Sequence, residues 1–165
     1  LEAADRVAEG EAIDVGELLA RLRSDLLVRM PATLEVRLQV DSGARLRGEP
    51  AQLHSAFANL LDNAAKYTPA GGIITVRWWS DEQGGHLAVA DTGIGIAAEH
   101  LPRLTERFYR VDPGRSRASG GSGLGLAIVK HVLQRHGASL QIESEEGRGS
   151  TFICHFPPAR LITPE

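Results

Sequence analysis

The stretch that decides the fold is Gly120-Gly-Ser-Gly-Leu-Gly-Leu-Ala-Ile-Val-Lys130, where a glycine-rich loop runs directly into an apolar helical pattern. Five of its first six residues are Gly or Ser, so backbone N–H groups can approach an anion closely because Cβ atoms are nearly absent. The helix predicted from Leu124 to His136 adds unpaired N–H groups and a partial positive charge at its N-terminus. The stretch therefore predicts a phosphate site, although a glycine-rich loop before a helix is by itself a weak signal.

The composition is typical of one globular domain that does not bind nucleic acid. The chain has 165 residues, of which 42% are hydrophobic and 24% are charged, and its net charge of −3 argues against general nucleic-acid binding. Its single cysteine, Cys154, excludes an internal disulfide and lies in an apolar alternation that predicts a buried thiol. No apolar run reaches the roughly 20 residues that span a bilayer. No signal peptide is recognised, so we expect no direct membrane contact from these residues.

Apolar spacing predicts three main helices and a largely antiparallel sheet. The helical spacing covers residues 14–29, 49–67 and 124–136, and strand-like alternation covers residues 34–40, 45–48, 73–80, 86–90, 139–143 and 150–156. Strands and helices mix without regular βαβ alternation, which favours a two-layer α/β (α+β) sandwich over a Rossmann fold. We expect residues 1–11 to be a linker, 12–157 the domain and 158–165 a tail. Basic, turn-rich residues at about 106–122 predict a surface loop.

The helix predicted over residues 49–67 carries polar side chains along one face. Asn59, Asn63 and Lys66 fall within a narrow sector at about 100° per residue, with Asp62 and Tyr67 on its flanks. Asn is a poor helix former, so two of them at i and i+4 favour a ligand face over the alternative, an ordinary solvated face. An Asn oxygen is a neutral hard ligand suited to Mg²⁺, and Lys66 would neutralise phosphate charge.

Asp91-Thr-Gly-Ile-Gly-Ile96 closes a predicted strand and precedes a short helix. A type II or left-handed turn explains Gly93 and Gly95 without any ligand, and this interpretation stays open. Asp91 ends an apolar strand, where its carboxylate could face a pocket and accept a hydrogen bond from an exocyclic amine such as that of adenine. The small residues after it leave room for a flat base.

Four segments occur in a fixed order, namely Asn59–Thr68, Asp91–Ile96, Glu106–Arg110 and Gly120–Leu126. Together they resemble the N, G1, F and G2 boxes of the catalytic ATP-binding domain of sensor histidine kinases, over about residues 12–157. The resemblance implies the fold shared with gyrase, Hsp90 and MutL ATPases, a mixed sheet covered by three main helices. A narrower resemblance, to sensor kinases of the phosphate regulon, is carried by residues 101–112, residues 123–131 and the Trp78-Trp79 strand.

The resemblance implies a role for each matching residue. Asn63 is similar to the Mg²⁺-chelating Asn, Asn59 to its partner nearer the phosphates, and Asp91 to the acceptor of the adenine amino group. Catalytic roles are implied for Asn59, Lys66, Arg107 and Arg110, the two arginines as candidates for γ-phosphate contact from a lid over about residues 106–122. The other implied nucleotide contacts are Lys66, Tyr67, Gly93, Gly95, Ile96, Phe108, Gly121, Ser122, Gly123, Leu124, Gly125, Leu126 and Thr151.

None of the six His residues has the setting of the family's phosphoacceptor, a His followed by an acidic residue and then Pro. The resemblance therefore implies a protein-histidine kinase domain that uses ATP and Mg²⁺ to phosphorylate a His on a separate dimerisation hairpin. That phosphoryl group would pass to the receiver domain of a response regulator, in phosphate-starvation signalling. The full-length protein is expected to be a homodimer, anchored in the inner membrane with this domain in the cytoplasm.

Two other hypotheses compete with the kinase domain. The first is an ATP-gated ATPase module of the gyrase, Hsp90 or MutL type, in which a water-activating Glu would be expected where this chain has Asn59. The second is a dinucleotide-binding domain, which needs its glycine-rich loop directly after a buried strand in a βαβ unit. Residues 106–119 do not supply that strand.

Overall fold

The computed structural model describes residues 10–30, 34–106 and 125–163. In chain order its elements are β1 (Glu11–Ile13), α1 (Val15–Arg29), β2 (Glu35–Val40), β3 (Arg45–Gly48), α2 (Pro50–Tyr67), β4 (Ile73–Asp81), β5 (Gly84–Asp91), α3 (Gly125–Arg135), β6 (Ser139–Glu145), β7 (Gly149–Phe156) and β8 (Leu161–Ile162). Short 3₁₀ turns cover Ala98–Arg103 and Pro158–Arg160. In these described ranges, no helix is both long enough and apolar enough to cross a membrane.

Five strands form the main sheet, in the order β2-β4-β5-β7-β6. β2 and β4 are parallel, and the other three neighbouring pairs are antiparallel. The three α-helices of the described residues contribute their apolar faces to one hydrophobic core with this sheet. The mixed, largely antiparallel two-layer sandwich expected from the sequence is therefore confirmed.

Fully buried side chains cross the sheet in a row beneath the helices. The strand register aligns Trp78 of β4 with Leu87 of β5, and Leu87 with Cys154 of β7, and none of the three is exposed to solvent. Phe57 of α2 packs edge-on against Phe156, with 6.2 Å between ring centroids. Because side chains alternate between the two faces of a strand, the neighbours of these residues lie on the opposite face of the sheet.

The helix ends are fixed in different ways. Asp14 caps α1 as the sequence predicts, since its Oδ1 accepts a hydrogen bond from the Glu17 N–H at 3.0 Å. At the start of α2, the Glu49 side chain makes no capping hydrogen bond. The Glu49 N–H instead donates to Nε2 of His136, at 3.1 Å. Gly137, which follows α3, has a φ of +66°, as is typical of a helix-ending glycine.

A second, smaller sheet has the strand order β1-β3-β8. Its antiparallel register pairs Glu11 with Gly48, and Leu46 with Leu161. The sequence predicts a linker at Glu11 and a C-terminal tail at Leu161, because strands of three and two residues are too short to show alternation. Leu46 is fully buried in the common core, which joins this sheet to the rest of the fold.

Candidate functional site

One face of α2 carries the polar row that the sequence predicts. Asn59, Asn63 and Lys66 are all half-buried, whereas the opposite side of the helix is packed in the core. The Asn59 side-chain amide donates to the backbone oxygen of Ser55 at 2.8 Å, which fixes its orientation. The Lys66 ammonium lies 5.4 Å from the centre of the Tyr67 ring. Amide oxygens and a cation thus follow one another along this face.

The start of α3 lies against Asn59. Gly125 is the first residue of α3, and a Cβ built on it would lie only 2.9 Å from Oδ1 of Asn59. The polar face of α2 therefore meets the N-terminus of α3, where unpaired N–H groups favour an anion. Leu126, one residue later, packs against the hydrophobic core.

Asp91 is a buried carboxylate at the end of β5. Its Oδ1 accepts a hydrogen bond from the Gly93 N–H at 2.9 Å, and the Ser150 N–H also donates to the carboxylate. Burial raises the pKa of Asp91 above its ordinary value, against the effect of these two hydrogen bonds. Within the described residues no cationic side chain forms an ion pair with it. A buried carboxylate without a cation is a candidate binding group.

Gly93 and Gly95 are required by close contacts with the protein's own backbone. A Cβ on Gly93 would lie 2.2 Å from the carbonyl oxygen of Tyr67, and one on Gly95 would lie 2.1 Å from that of Glu145. Gly95 also has a φ of +73°, which side chains disfavour. The left-handed turn that the sequence left open thus accounts for Gly95, and the close approach of the Tyr67 carbonyl accounts for Gly93. The same turn holds Asp91 beside the C-terminal end of α2, where the Ile94 N–H donates to the Tyr67 carbonyl at 3.2 Å.

Two serines that sequence analysis did not single out support this turn. Oγ of Ser144 accepts a hydrogen bond from the Ile96 N–H at 2.8 Å and lies 2.8 Å from Oγ of Ser150. Ile96 itself is buried. The strand register pairs Ser150 directly with Asp91. Neither serine belongs to a recognisable motif. Their positions beside the Asp91 turn follow from the pairing of β7 with both β5 and β6.

Thr151 lies on the other face of the sheet from Asp91. The register pairs Thr151 with Ala90, and successive side chains of a strand point to opposite faces. The residue paired directly with Asp91 is Ser150. This pairing depends on the strand register, which local sequence does not encode, and the nucleotide contact implied for Thr151 stays a prediction.

Seven of the predicted site residues lie outside the described residues, namely Arg107, Phe108, Arg110, Gly121, Ser122, Gly123 and Leu124. Their roles stay predictions.

The site has two chemically different ends joined by α2. The Asp91 turn is hydrogen-bonded to Tyr67, which is eight positions after Asn59, or about 12 Å along the helix at 1.5 Å per residue. One end offers the Asp91 carboxylate to a hydrogen-bond donor, and the other offers the N-terminus of α3 to an anion, while Lys66 lies on α2 beside Tyr67. This arrangement fits an elongated ligand with a base at one end and phosphates at the other.

A two-layer sandwich with a buried carboxylate at one end of α2 and the N-terminus of α3 at the other is typical of a nucleotide-binding domain. The chain belongs to the family of histidine kinase-, DNA gyrase B- and HSP90-like ATPases, whose family profile matches residues 48–160.

Proteins similar to this chain are sensor kinases. Over its whole length the chain is 53% identical to the phosphate regulon sensor protein PhoR of Pseudomonas aeruginosa, and it spans 38% of that protein. Among solved structures, the mycobacterial sensor histidine kinase MprB matches with a TM-score of 0.78 and 32% identity, over 90% of this chain and 97% of that one. Full-length ShkA in complex with AMPPNP matches with a TM-score of 0.78 and 27% identity, over 93% of this chain and 31% of that one. The chain is thus a histidine kinase-type ATP-binding domain.

Proposed function

We propose that this domain binds ATP with Mg²⁺ and donates the γ-phosphoryl group to a His on a separate dimerisation hairpin of the same kinase. Two features of one site carry the proposal together. The buried Asp91 carboxylate lies at one end, and the contact between Asn59 and Gly125 lies at the other. In this proposal the adenine amino group donates to Asp91. The triphosphate lies along the polar row of α2, toward the start of α3.

Asn63 is the residue of α2 that would hold Mg²⁺. It is half-buried, its amide oxygen is a neutral hard donor, and one such ligand suits an ion that keeps several waters and binds phosphate oxygens. When bound, Mg²⁺ would offset the negative charge of the phosphates. Lys66 would add a positive charge one turn further along α2, and Arg107 and Arg110 are proposed to contact the γ-phosphate.

The chain's own residues favour transfer to an imidazole over hydrolysis. A neutral imidazole nitrogen is already a nucleophile, so no strong general base is required. The amide of Asn59 is not basic and cannot activate water for hydrolysis. The similar proteins described above are sensor kinases. An ATP-gated ATPase module is therefore not favoured. The domain by itself is therefore expected to bind ATP and to turn it over slowly.

Similarity to PhoR supports a role in phosphate signalling. We propose that the phosphoryl group passes from the hairpin His to the receiver domain of a response regulator. The full-length kinase is proposed to be a homodimer anchored in the inner membrane, with this domain on the cytoplasmic side.

The experiment supplies the dimerisation hairpin of the kinase as a separate protein and follows transfer of label from γ-labelled ATP. Wild type should label the hairpin in a Mg²⁺-dependent reaction. Asn63→Ala should remove most of that labelling, whereas Gln134→Ala, which truncates an exposed amide at the far end of α3, should leave it unchanged. Labelling that is equal in Asn63→Ala and wild type would contradict the role of Asn63. A hairpin that stays unlabelled by wild type would contradict the proposed reaction.

A further inference from the structure

Two contacts fix α2 against α3, one near each end of α3. Near the phosphate end of the site, Oδ1 of Asn59 lies against Gly125. At the other end, the Glu49 N–H donates to Nε2 of His136 at 3.1 Å. Asn59 is ten positions after Glu49, and His136 is eleven positions after Gly125. At 1.5 Å per residue these spans are about 15 and 16.5 Å of helix, so the two contacts match along an antiparallel pair.

His136 is held as a specific neutral tautomer. Its Nδ1 lies 2.8 Å from the Val132 carbonyl oxygen, which can only accept, so Nδ1 carries the proton. Nε2 is then the lone-pair nitrogen that accepts from the Glu49 N–H. The side chain has no solvent exposure. A Cβ on Gly48 would lie 2.7 Å from the imidazole ring, and the Arg160 guanidinium donates to the His136 carbonyl at 3.1 Å. The ring is thus enclosed by α3, β3 and the start of α2.

We propose that His136 is a positioning residue for the phosphate end of the nucleotide site, because its hydrogen bond to the start of α2 sets the register of α3 along α2. The proposal rests on the ATP-binding function proposed above. The apolar contacts between the two helices are non-directional and tolerate sliding, whereas a hydrogen bond is lost within a few tenths of an ångström. A change of register would move Gly125 relative to Asn59 and displace the N-terminus of α3 from the polar row.

The base end of the site does not depend on this register. Asp91 accepts from Gly93 and Ser150, and Ile94 donates to Tyr67, so none of these contacts involves α3. Loss of the His136 hydrogen bond should therefore weaken the binding of phosphates and leave the binding of the base intact. A purely structural role would weaken both to the same extent.

Protonation of His136 should have the same effect as its removal. In the imidazolium, Nε2 also carries a proton, which would face the N–H of Glu49. Two hydrogen-bond donors would then face each other without an acceptor. Burial lowers the pKa of His136 below its ordinary value, the Arg160 and Arg135 charges act in the same direction, and the Val132 hydrogen bond and the Glu49 charge act against them. The neutral form is therefore the one present at pH 7.

The test measures the affinities of the folded chain for ATP with Mg²⁺ and for adenosine by calorimetry, beside thermal unfolding. His136→Leu removes the acceptor, and His136→Gln places an amide oxygen near the position of Nε2. For His136→Leu we expect ATP affinity to fall roughly tenfold, the factor for one hydrogen bond, with adenosine affinity unchanged. His136→Gln should restore most of the ATP affinity. His131→Leu, an exposed His on the same helix, is the matched control.

Equal loss of ATP and adenosine affinity in His136→Leu, or ATP affinity equal to that of wild type, would overturn the proposal. A wild-type chain that binds no ATP would instead contradict the proposed function. Should His136→Leu not fold, His136→Asn decides, because its amide lies near the position of Nδ1 and can still donate to the Val132 carbonyl while it cannot reach the Glu49 N–H. We expect this variant to lose ATP affinity with adenosine affinity unchanged, and ATP affinity equal to that of His136→Gln would refute the inference.

Discussion

Replacement of Asp91 by Asn tests the base end of the site with little change in shape. The carboxylate accepts from the N–H groups of Gly93 and Ser150, and we propose that it also accepts the adenine amino group. An amide has only one oxygen, so Asp91→Asn must turn an NH₂ group toward one of these three donors. A contact that is attractive in wild type becomes a contact between two donors.

The two consequences of Asp91→Asn should have opposite signs. A hydrogen bond to a charged acceptor contributes about 1.5–3 kcal/mol, so ATP affinity should fall roughly 10- to 150-fold. Burial raises the folded-state pKa of Asp91, so the protonated carboxyl favours folding at pH below the unfolded-state pKa, and this contribution is lost as pH rises through the folded-state pKa. At pH 7 the neutral Asn removes the cost of burying a charge, so the free energy of unfolding should be equal to or higher than that of wild type.

Calorimetric titration with ATP and with inosine triphosphate, which lacks the amino group, separates this contact from general damage. Wild type should prefer ATP strongly, and Asp91→Asn should lose that preference. Denaturant unfolding of the same samples measures stability. Asp25→Asn, an exposed acid on α1, is the control for removal of one charge. A variant that keeps the wild-type preference for ATP would refute the assignment of Asp91 to the base.

Three further predictions concern stability and reactivity. Gly95→Ala should lower the free energy of unfolding by at least about 2 kcal/mol, because the new Cβ would meet the Glu145 carbonyl and φ is +73°. Denaturant unfolding measures this change, and an unchanged midpoint would contradict the contact. Gly125→Ala should change stability by less than about 1 kcal/mol because helix propensity offsets the crowding, yet weaken ATP binding severalfold by displacing Asn59. Burial raises the pKa of Cys154 to about 12, so a thiol reagent at pH 8 should label this cysteine only as fast as the chain unfolds. Labelling faster than unfolding would contradict the burial of the thiol.

Strong local patterns were sufficient to predict the main architecture. The helices that contain Asn59 and Gly125 have apolar residues at helical spacing over several turns, and Asp14 is a good N-cap, so local sequence determines these elements. The Asp91 turn was predicted from its position after an apolar strand. In each case the residues that determine the feature are close together in the chain.

Features that depend on long-range pairing could not be predicted. Ser150 rather than Thr151 lies beside Asp91 because of the register between β5 and β7, and a shift of one residue reverses the two faces of a strand. At the start of α2, the Glu49 N–H donates to His136, which is 87 positions further along the chain. Helix caps can be predicted from sequence only when the capping residue is a near neighbour in the chain. These contacts become visible only when the sheets and helices are assembled.

Amide chemical shifts of the isotope-labelled chain show whether one site extends from Asp91 to the start of α3. Titration with ATP and Mg²⁺ should shift the backbone amides of Gly93 and Ser150, the side-chain amide of Asn63 and the backbone amide of Gly125. Adenosine should shift only Gly93 and Ser150. One continuous site is contradicted if ATP shifts none of these groups, or if adenosine and ATP shift the same set.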